Sequence, residues 1–561
     1  MVVVSLLAIV GAAMPMPAAL ETVPGRVVDL APHTTRAATI SVGMLLLVLA
    51  GGLRRRKRRA WQLTVLLAVA EGGLHLARDF DLPQAALTAV LVVLLVSTRG
   101  AFTGVPDPRT LAHTAVVFVG SALLAAATGF AAVLLDGIDQ GSHGSLSRTG
   151  REVLLGLVGI TGPLRYRSTE HADFAAVTLA LLGGAVLVCT LAAALRPPGG
   201  PRGLSELDEQ RLRDLLSRFG RQDSLGYFAL RRDKSAIFSP TGKAAIAYRV
   251  VGGVSLASGD PLGDPEAWPG AIREWLDEAR RYAWIPAALA PGERGAAAYH
   301  RAGLEVLEVG DEAVVHVADF TLEGRAMRNV RQAVGRARRW GYRVDVRAVE
   351  LLTPEELAEA RTASERWRDG THERGFTMAL GRLGDADDRG CVLVRCRDGE
   401  GRLVALLHFV PWGPDGLSLD LMRRSPHVEH GVVELMVVDL LAAPSVQPLH
   451  RVSLNFAVFR SILERGGRLG AGPVLRLWRR VLLSASRLWQ IESLYRANAK
   501  YRPDWVPRYV CFPRAGDVPK VTLSVLQAEA FITGPRIRRA GGPVRQGTSA
   551  PRRRERAGQT A

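Results

Sequence analysis

Asp420 and Arg423 stand three residues apart in DLMR, where an apolar run ends in a turn. A carboxylate and a guanidinium so placed can take up an ammonium and a phosphate, or pair with each other at the surface for ~0–1 kcal/mol. A second stretch, SLYRANAKYRPDWVPRY from Ser493 to Tyr509, sets Arg496, Lys500, Arg502 and Arg508 among Tyr495, Tyr501, Trp505 and Tyr509. Pro503 and Pro507 stop any helix there, so a rigid turn is expected. Cations on a stiff, aromatic-lined loop suit phosphates and nucleotides, because the rings hold planar groups while the charges take the anion. Glu373 lies in the glycine-flanked stretch GTHERG, where a carboxylate can accept an amine or act as a general base. A solvated helix-end glutamate is the plain alternative. His408 in LLHFVPW reads as a satisfied core or strand-end histidine, and Asn455 in SLNF as a turn-closing residue after a strand.

Two further features are basic or glycine-rich. Asp260 sits in GDPLG, a turn whose glycines let backbone approach a ligand. The segment Arg325 to Arg339 reads as a strongly basic helix with Arg328, Arg331 and Arg339 near one face, a docking surface for RNA or an anionic membrane. Gln332, Gly335 and Ala337 satisfy Q-x-x-G-x-A, the pyrophosphate loop of acetyl-coenzyme A transferases, but they fall inside that helix, so coenzyme A binding is not expected.

These residues need elements to carry them. The first 195 residues are mostly apolar runs broken by short charged loops, with candidate spans at 2–20, 37–53, 60–77, 84–98, 111–135 and 174–195. A span needs ~20 apolar residues, so about six transmembrane helices are expected. The RRRKRR run, Arg54 to Arg59, places its loop in the cytoplasm, and six spans then put everything after Leu195 inside as well. The arginines of the 136–173 loop sit against this topology, and Val153–Ile160 could be interfacial or re-entrant. RPPGGPRG, 196–203, reads as a linker. Beyond it, helices expected at 206–219, 271–282, 354–368 and 432–442 alternate with strands at 244–251, 314–317, 391–396, 403–410 and 417–421, which argues an α+β or α/β sheet region. Residues 534–561, rich in Gly, Pro, Ser and Arg, are expected to be a disordered basic tail. A net charge of +18 calls for anionic partners, nucleic acid or lipid. Cys189, Cys391, Cys396 and Cys511 form no metal-ligand spacing, so no metal site is expected.

Four stretches together, WRDGTHERGFTMALGRLGD (367–385), LSLDLMRRSP (417–426), VSLNFAVFR (452–460) and KYRPDW within the aromatic segment, resemble the phosphatidylglycerol aminoacyltransferase domain of the multiple peptide resistance factor family. The likeness runs from roughly Gly252 to Ile532 and is nearest to the version fused to a lysyl-tRNA synthetase. It implies two tandem acetyltransferase-like (GNAT) lobes, at 204–345 and 346–533, the second holding the catalytic motifs. It implies transfer of an aminoacyl group, usually lysyl, from aminoacyl-tRNA to phosphatidylglycerol in the bacterial cell membrane, without a cofactor. Alanine and ornithine are the alternatives to lysine. With no room for a synthetase before Ala561, a separate lysyl-tRNA synthetase is expected to supply the donor. By this resemblance Asp420 meets the substrate ammonium or hydroxyl, and Arg423 a phosphate. Lys500 stabilises the leaving oxygen or holds a phosphate, and Glu373 takes the amine or acts as base. Arg508, Tyr501, Trp505, Asn455, Asp260, Arg328 and Arg331 form the binding surfaces. A lipid transporter with a regulatory binding domain, or a same-fold transferase acting on a peptidoglycan precursor, are the competing readings.

Overall fold

The computed structural model describes residues 32–78, 82–102, 110–135, 146–160, 162–164, 166, 168–196, 198–201, 203–368, 375–458 and 496–532. The span candidate at 2–20, Glu373 and the basic tail lie outside these residues.

The amino-terminal part is helical: α1 (Pro32–Arg54), α2 (Arg58–Arg78), α3 (Leu82–Ser97), α4 (Thr110–Leu135), α5 (Leu146–Leu157) and α6 (Thr169–Ala194). Each span candidate inside the described residues therefore coincides with a helix. By length and composition two of them, in α4 and α6, are long and apolar enough to cross a membrane. α6 is the hub, packing on α1, α4 and α5, and its glycines allow the approach. A Cβ on Gly183 would overlap the Leu157 carbonyl oxygen, and one on Gly184 would overlap Ser41 Oγ. The apolar piece at 153–160 is the second half of α5 plus three residues; Val153 is buried while Leu154 and Val158 face outward.

The remainder builds one twelve-stranded mixed sheet. Its strands are β1 (Ser235–Phe238), β2 (Ala244–Val251), β3 (Val254–Ser258), β4 (Leu262–Gly263), β5 (Ile285–Leu289), β6 (Glu305–His316), β7 (Arg343–Ala348), β8 (Val392–Arg397), β9 (Leu403–Pro411), β10 (Gly416–Arg424), β11 (Arg451–Val458) and β12 (Asp504–Phe512). Helices α7 (Glu206–Phe219), α8 (Trp268–Arg281), α9 (Glu293–Arg301), α10 (Arg328–Arg339), α11 (Pro354–Arg366), α12 (Val432–Leu441) and α13 (Val518–Ala528) cover its faces. Local signals set several ends. Ser205 caps α7 by accepting from Asp208 N, and Thr353 with Glu356 forms a capping box on α11.

The order along the sheet is β1-β2-β3-β5-β12-β6-β11-β10-β9-β8-β7, with β4 on β2. The last strand of each half thus lies against the other half. β12 is inserted between β5 and β6, and β6 is held between β12 and β11. The arrangement is pseudo-symmetric: β3 is parallel to β5, β10 is parallel to β11, and the four central strands are antiparallel. Alternation along the strands divides the core. Leu256, Leu393, Leu406 and Val510 belong to one layer running along one face, whereas the other face carries one cluster per half, around Trp275 and around Phe409. The boundary expected at 345/346 falls within β7, at the sheet edge.

Two local expectations are corrected. The segment read as a rigid turn enters, from Asp504, a nine-residue strand at the centre of the sheet. Pro507 is tolerated because β12 pairs with β6 along 504–512 but with β5 only at Val510 and Cys511, so its missing N–H faces a gap in the ladder. Asn455 lies inside β11 rather than after a strand.

Candidate functional site

β10 and β11 run parallel but pair only at 416–418 with 451–453, and then diverge. Between them in the chain comes α12, whose amino terminus returns to the point of divergence. The carboxyl ends of diverging parallel strands, facing a helix amino terminus, form the usual binding crevice of open α/β sheets. Gly431 makes the turn into α12 at φ 106°, and a Cβ there would lie 2.8 Å from the Ala333 carbonyl oxygen, so glycine is required.

The resulting cleft holds about 270 Å³ and is walled by Met422 and Arg424 of β10, His430 just before α12, Glu434 of α12, and Asn498, Lys500 and Tyr501. Lys500 Nζ donates to Glu434 Oε1 at 2.5 Å, with the lysine side chain 41% exposed and the glutamate 14%. Asn498 Nδ2 donates to Leu454 O at 3.1 Å, which fixes the short turn that presents Lys500. Tyr501 is enclosed, and burial, then the Glu434 charge, pushes its phenol well above the usual range, so it stays an O–H donor. One wall therefore offers an ammonium, a carboxylate and a phenol, enough to meet a cationic amine and stabilise a developing oxyanion.

Asp420 lies at a β-bulge in β10, between Leu419 and Leu421. Its carboxylate is buried and doubly held: Oδ2 is 2.7 Å from His408 Nδ1, and Oδ1 accepts from Leu380 N at 2.6 Å. His408 is fully buried. Burial alone would depress its pKa, but the hydrogen bond the ring donates to Asp420 and the adjacent Cys391 outweigh it and raise the ring to about 10. His408 is thus a charged partner of Asp420, and its Nε2 has no hydrogen-bond partner among the described residues. Residues 375–380, which follow the stretch containing Glu373, are anchored at both ends. Phe376 N and Thr377 N donate to Glu529, at 2.6 and 3.1 Å, and Leu380 N to Asp420. Arg423 pairs in register with Leu406, a residue of the same core layer as Leu380, so it shares Asp420's face of the sheet. Its Nη1 donates to Met422 O at 3.2 Å.

The sequence-derived set is therefore divided. Asp420 and Arg423 lie on one face of the divergence, and Lys500 and Tyr501 on the other, with Asn455 on the facing strand β11. Trp505 packs on the core beneath α12. Arg508 is elsewhere and enclosed: Nε donates to Glu312 Oε2 at 2.9 Å, Nη1 to Asp223 Oδ1 at 2.8 Å and Nη2 to Ser224 Oγ at 2.6 Å. Its guanidinium is spent on internal carboxylates where β6 meets β12, which corrects its assignment to a phosphate. Asp260 belongs to the same network. It accepts from Gly292 N at 2.8 Å, and burial together with Asp223 pushes it up to about 7. On α10, Val330, Ala333, Val334 and Ala337 face the core while Arg328, Arg331 and Arg339 face outward. Arg331 Nη1 donates to Leu322 O and, at 3.3 Å, to Gly324 O. The Q-x-x-G-x-A residues all sit within α10.

Glu434, His430 and the charged state of His408 were not singled out from the sequence. Glu434 carried a usable signal, an acidic residue in the first turn after a glycine-initiated helix. His408 carried none, because its charge follows from a strand neighbour twelve residues away.

Residues 213–512 match the family described as phosphatidylglycerol lysyltransferase, C-terminal. The lysylphosphatidylglycerol biosynthesis bifunctional protein LysX of Rhodococcus opacus is 42% identical over 529 residues, 92% of this chain and 47% of that protein. The protein of the same name from Mycobacterium avium is 40% identical over 552 residues, 96% of this chain and 46% of that protein. The chain thus spans about half the length of these relatives. Among solved structures, L-PGS from Bacillus licheniformis is similar in fold at a TM-score of 0.51 and 23% identity, over 59% of this chain and 98% of that one.

Proposed function

Because the chain belongs to the family described as phosphatidylglycerol lysyltransferase, C-terminal, we propose that it moves an aminoacyl group, lysyl by preference, from aminoacyl-tRNA to a glycerol hydroxyl of phosphatidylglycerol. The observation that carries this is the family match over 213–512, within which β10 and β11 diverge to form the cleft. The lipid hydroxyl oxygen attacks the ester carbonyl carbon, the new C–O bond forms, the bond from that carbon to the ribose oxygen breaks, and the hydroxyl proton ends on the departing ribose oxygen. One ester replaces another, so alignment and charge stabilisation suffice. Glu434 meets the lysyl ammonium and releases Lys500 to the developing oxyanion, with Tyr501 as a fixed donor beside it. Asp420, held by His408, shapes the opposite face of the divergence, and Arg423 takes a phosphate there. The two lobes of the resemblance correspond to the sheet halves, each completed by the other's last strand. The sheet domain lies on the cytoplasmic side of a bacterial membrane crossed several times by the amino-terminal helices, a reading supported by the RRRKRR turn after α1 and the two long apolar helices.

The test supplies the full chain, in phosphatidylglycerol vesicles, with tRNA charged with radiolabelled lysine. Label should enter a cationic lipid and stop doing so when RNase is added first. Label transfer that survives RNase, or none at all from a folded, reconstituted protein, defeats the reading.

A further inference from the structure

The turn joining α1 to α2 meets the sheet domain at the first turn of α13, and the meeting is almost wholly cationic. Arg54 ends α1, Arg55 and Lys57 lie in the turn, Arg196 follows α6, and Lys520 lies in the first turn of α13. Lys57 Nζ donates to the carbonyl oxygen of Leu195, the residue capping α6, and Arg59 Nη1 lies 3.5 Å from Ala194 O, so the turn is fixed against the end of that helix. From the other side, a Cβ on Gly516, just before α13, would lie 3.5 Å from Arg54 Nη2. Lys57 is within electrostatic reach of Arg55 and Lys520, and Lys520 of Arg55 and Arg196. Asp517 is the opposing carboxylate, and among the described residues no carboxylate is within ion-pair distance of Arg55, Lys57 or Lys520. Burial and these like charges bring both lysines down to about 8. Such convergence of cations, with Arg55, Lys57 and Lys520 half-buried, opposes docking of the two parts unless an anion lies between them.

The height of the cluster says which anion. It sits where the apolar stretch of α1, Ile40–Arg54, and that of α6, Thr169–Ala194, both end, which is headgroup level for helices in a bilayer. About two turns below on α6, Leu187 is 54% exposed, an apolar surface for an acyl chain. We propose that this junction binds the phosphodiester headgroup of an anionic membrane lipid, held jointly by the α1–α2 turn, the end of α6 and the first turn of α13, and that the lipid fastens the sheet domain to the helices. The inference rests on the membrane placement of α1 and α6 and is independent of the transfer chemistry.

The experiment uses the full chain in uncharged detergent without tRNA, so its failure is separate from failure of the transfer reading. Dioctanoyl phosphatidylglycerol and dioctanoyl phosphatidylserine should each raise the melting temperature, while dioctanoyl phosphatidylcholine should not. Inorganic phosphate at the same concentration should also have no effect; an equal shift from it would overturn the lipid assignment. Lys57→Ala and Lys520→Ala should each weaken the lipid response about fivefold, the loss of one cation at a charged headgroup. Lys520→Glu is the decisive variant, because its carboxylate would meet Arg55 and Lys57 in the anion's place. It should raise the lipid-free melting temperature and abolish the lipid-induced increment together. An increment in Lys520→Glu equal to that of the unaltered chain would overturn the proposal.

Discussion

At the scale of single residues the site rests on two ion pairs of different character. Lys500–Glu434 is partly exposed, and as a surface pair is worth ~0–1 kcal/mol to folding, so Lys500→Ala should leave the thermal melt nearly unchanged. If Lys500 stabilises the developing oxyanion, the same variant should slow lysyl transfer ~30- to 1000-fold, read as label reaching lipid at saturating tRNA. Asp420–His408 is buried, and Asp420→Asn leaves a charged ring without its counterion, costing ~3–5 kcal/mol in a urea melt. The sequence alone had suggested a harmless surface change at Asp420. His408 also gives a pH signature. Its folded pKa, about 10, lies above the 6.5 of an unperturbed ring, so the pair's contribution is fully present below about pH 6.5 and is lost as pH rises through 10. Melts of the unaltered chain and of His408→Gln should therefore converge between pH 7 and 10.5. A constant gap would show that the ring is neutral in the folded protein.

At the scale of elements, the splay of β10 from β11 and the amino terminus of α12 make the cleft, and Gly431 is their joint. Gly431→Ala combines a left-handed φ with a clash on Ala333 O and should cost ~1–3 kcal/mol, while raising the KM for the lysyl donor because the helix terminus shifts. A measured loss below about 0.5 kcal/mol would mean that the turn relaxes freely. What could be read of these elements in advance follows from how local their signals are. β2 and α7 end where their periodicity and caps say, and β8 to β10 stand within a residue or three of the expected bounds, because alternation and turn residues are encoded in the segment itself. β12 was hidden by Pro507, whose acceptability depends on a gap opposite β5, and β3 and β5 by short, small-residue stretches such as VSLAS and IPAAL. The candidate site was legible as motifs but not as geometry. Nothing in LDLMRR says that Asp420 turns away from the face of Met422, since that depends on the bulge.

At the scale of the molecule, the crossed strands β6 and β12 make the two halves of the sheet one body, tied by Arg508 between Glu312 of β6 and Asp223 ahead of the sheet. A fragment ending near residue 345 would lack β12 and leave β5 and β6 as unpaired edges, so it should be insoluble or unfolded by circular dichroism. A fragment over 203–532 should melt in one transition. Two separate transitions would show that the halves are independent despite the shared sheet.

The same crossing sets a timetable for biosynthesis. Among the described residues, 504–512 form the last strand of the sheet to be made, yet they belong at its centre, next to strands made some two hundred residues earlier. Until then the nascent chain carries two open strand edges beside the amino-terminal helices, a state that invites wrong pairing with neighbouring chains. The first half cannot close until that strand is made, and the final turn of the cleft, around Lys500, emerges just ahead of the strand that locks both halves. The cleft and the sheet are therefore completed within the same dozen codons, and a chain cut short before them has neither.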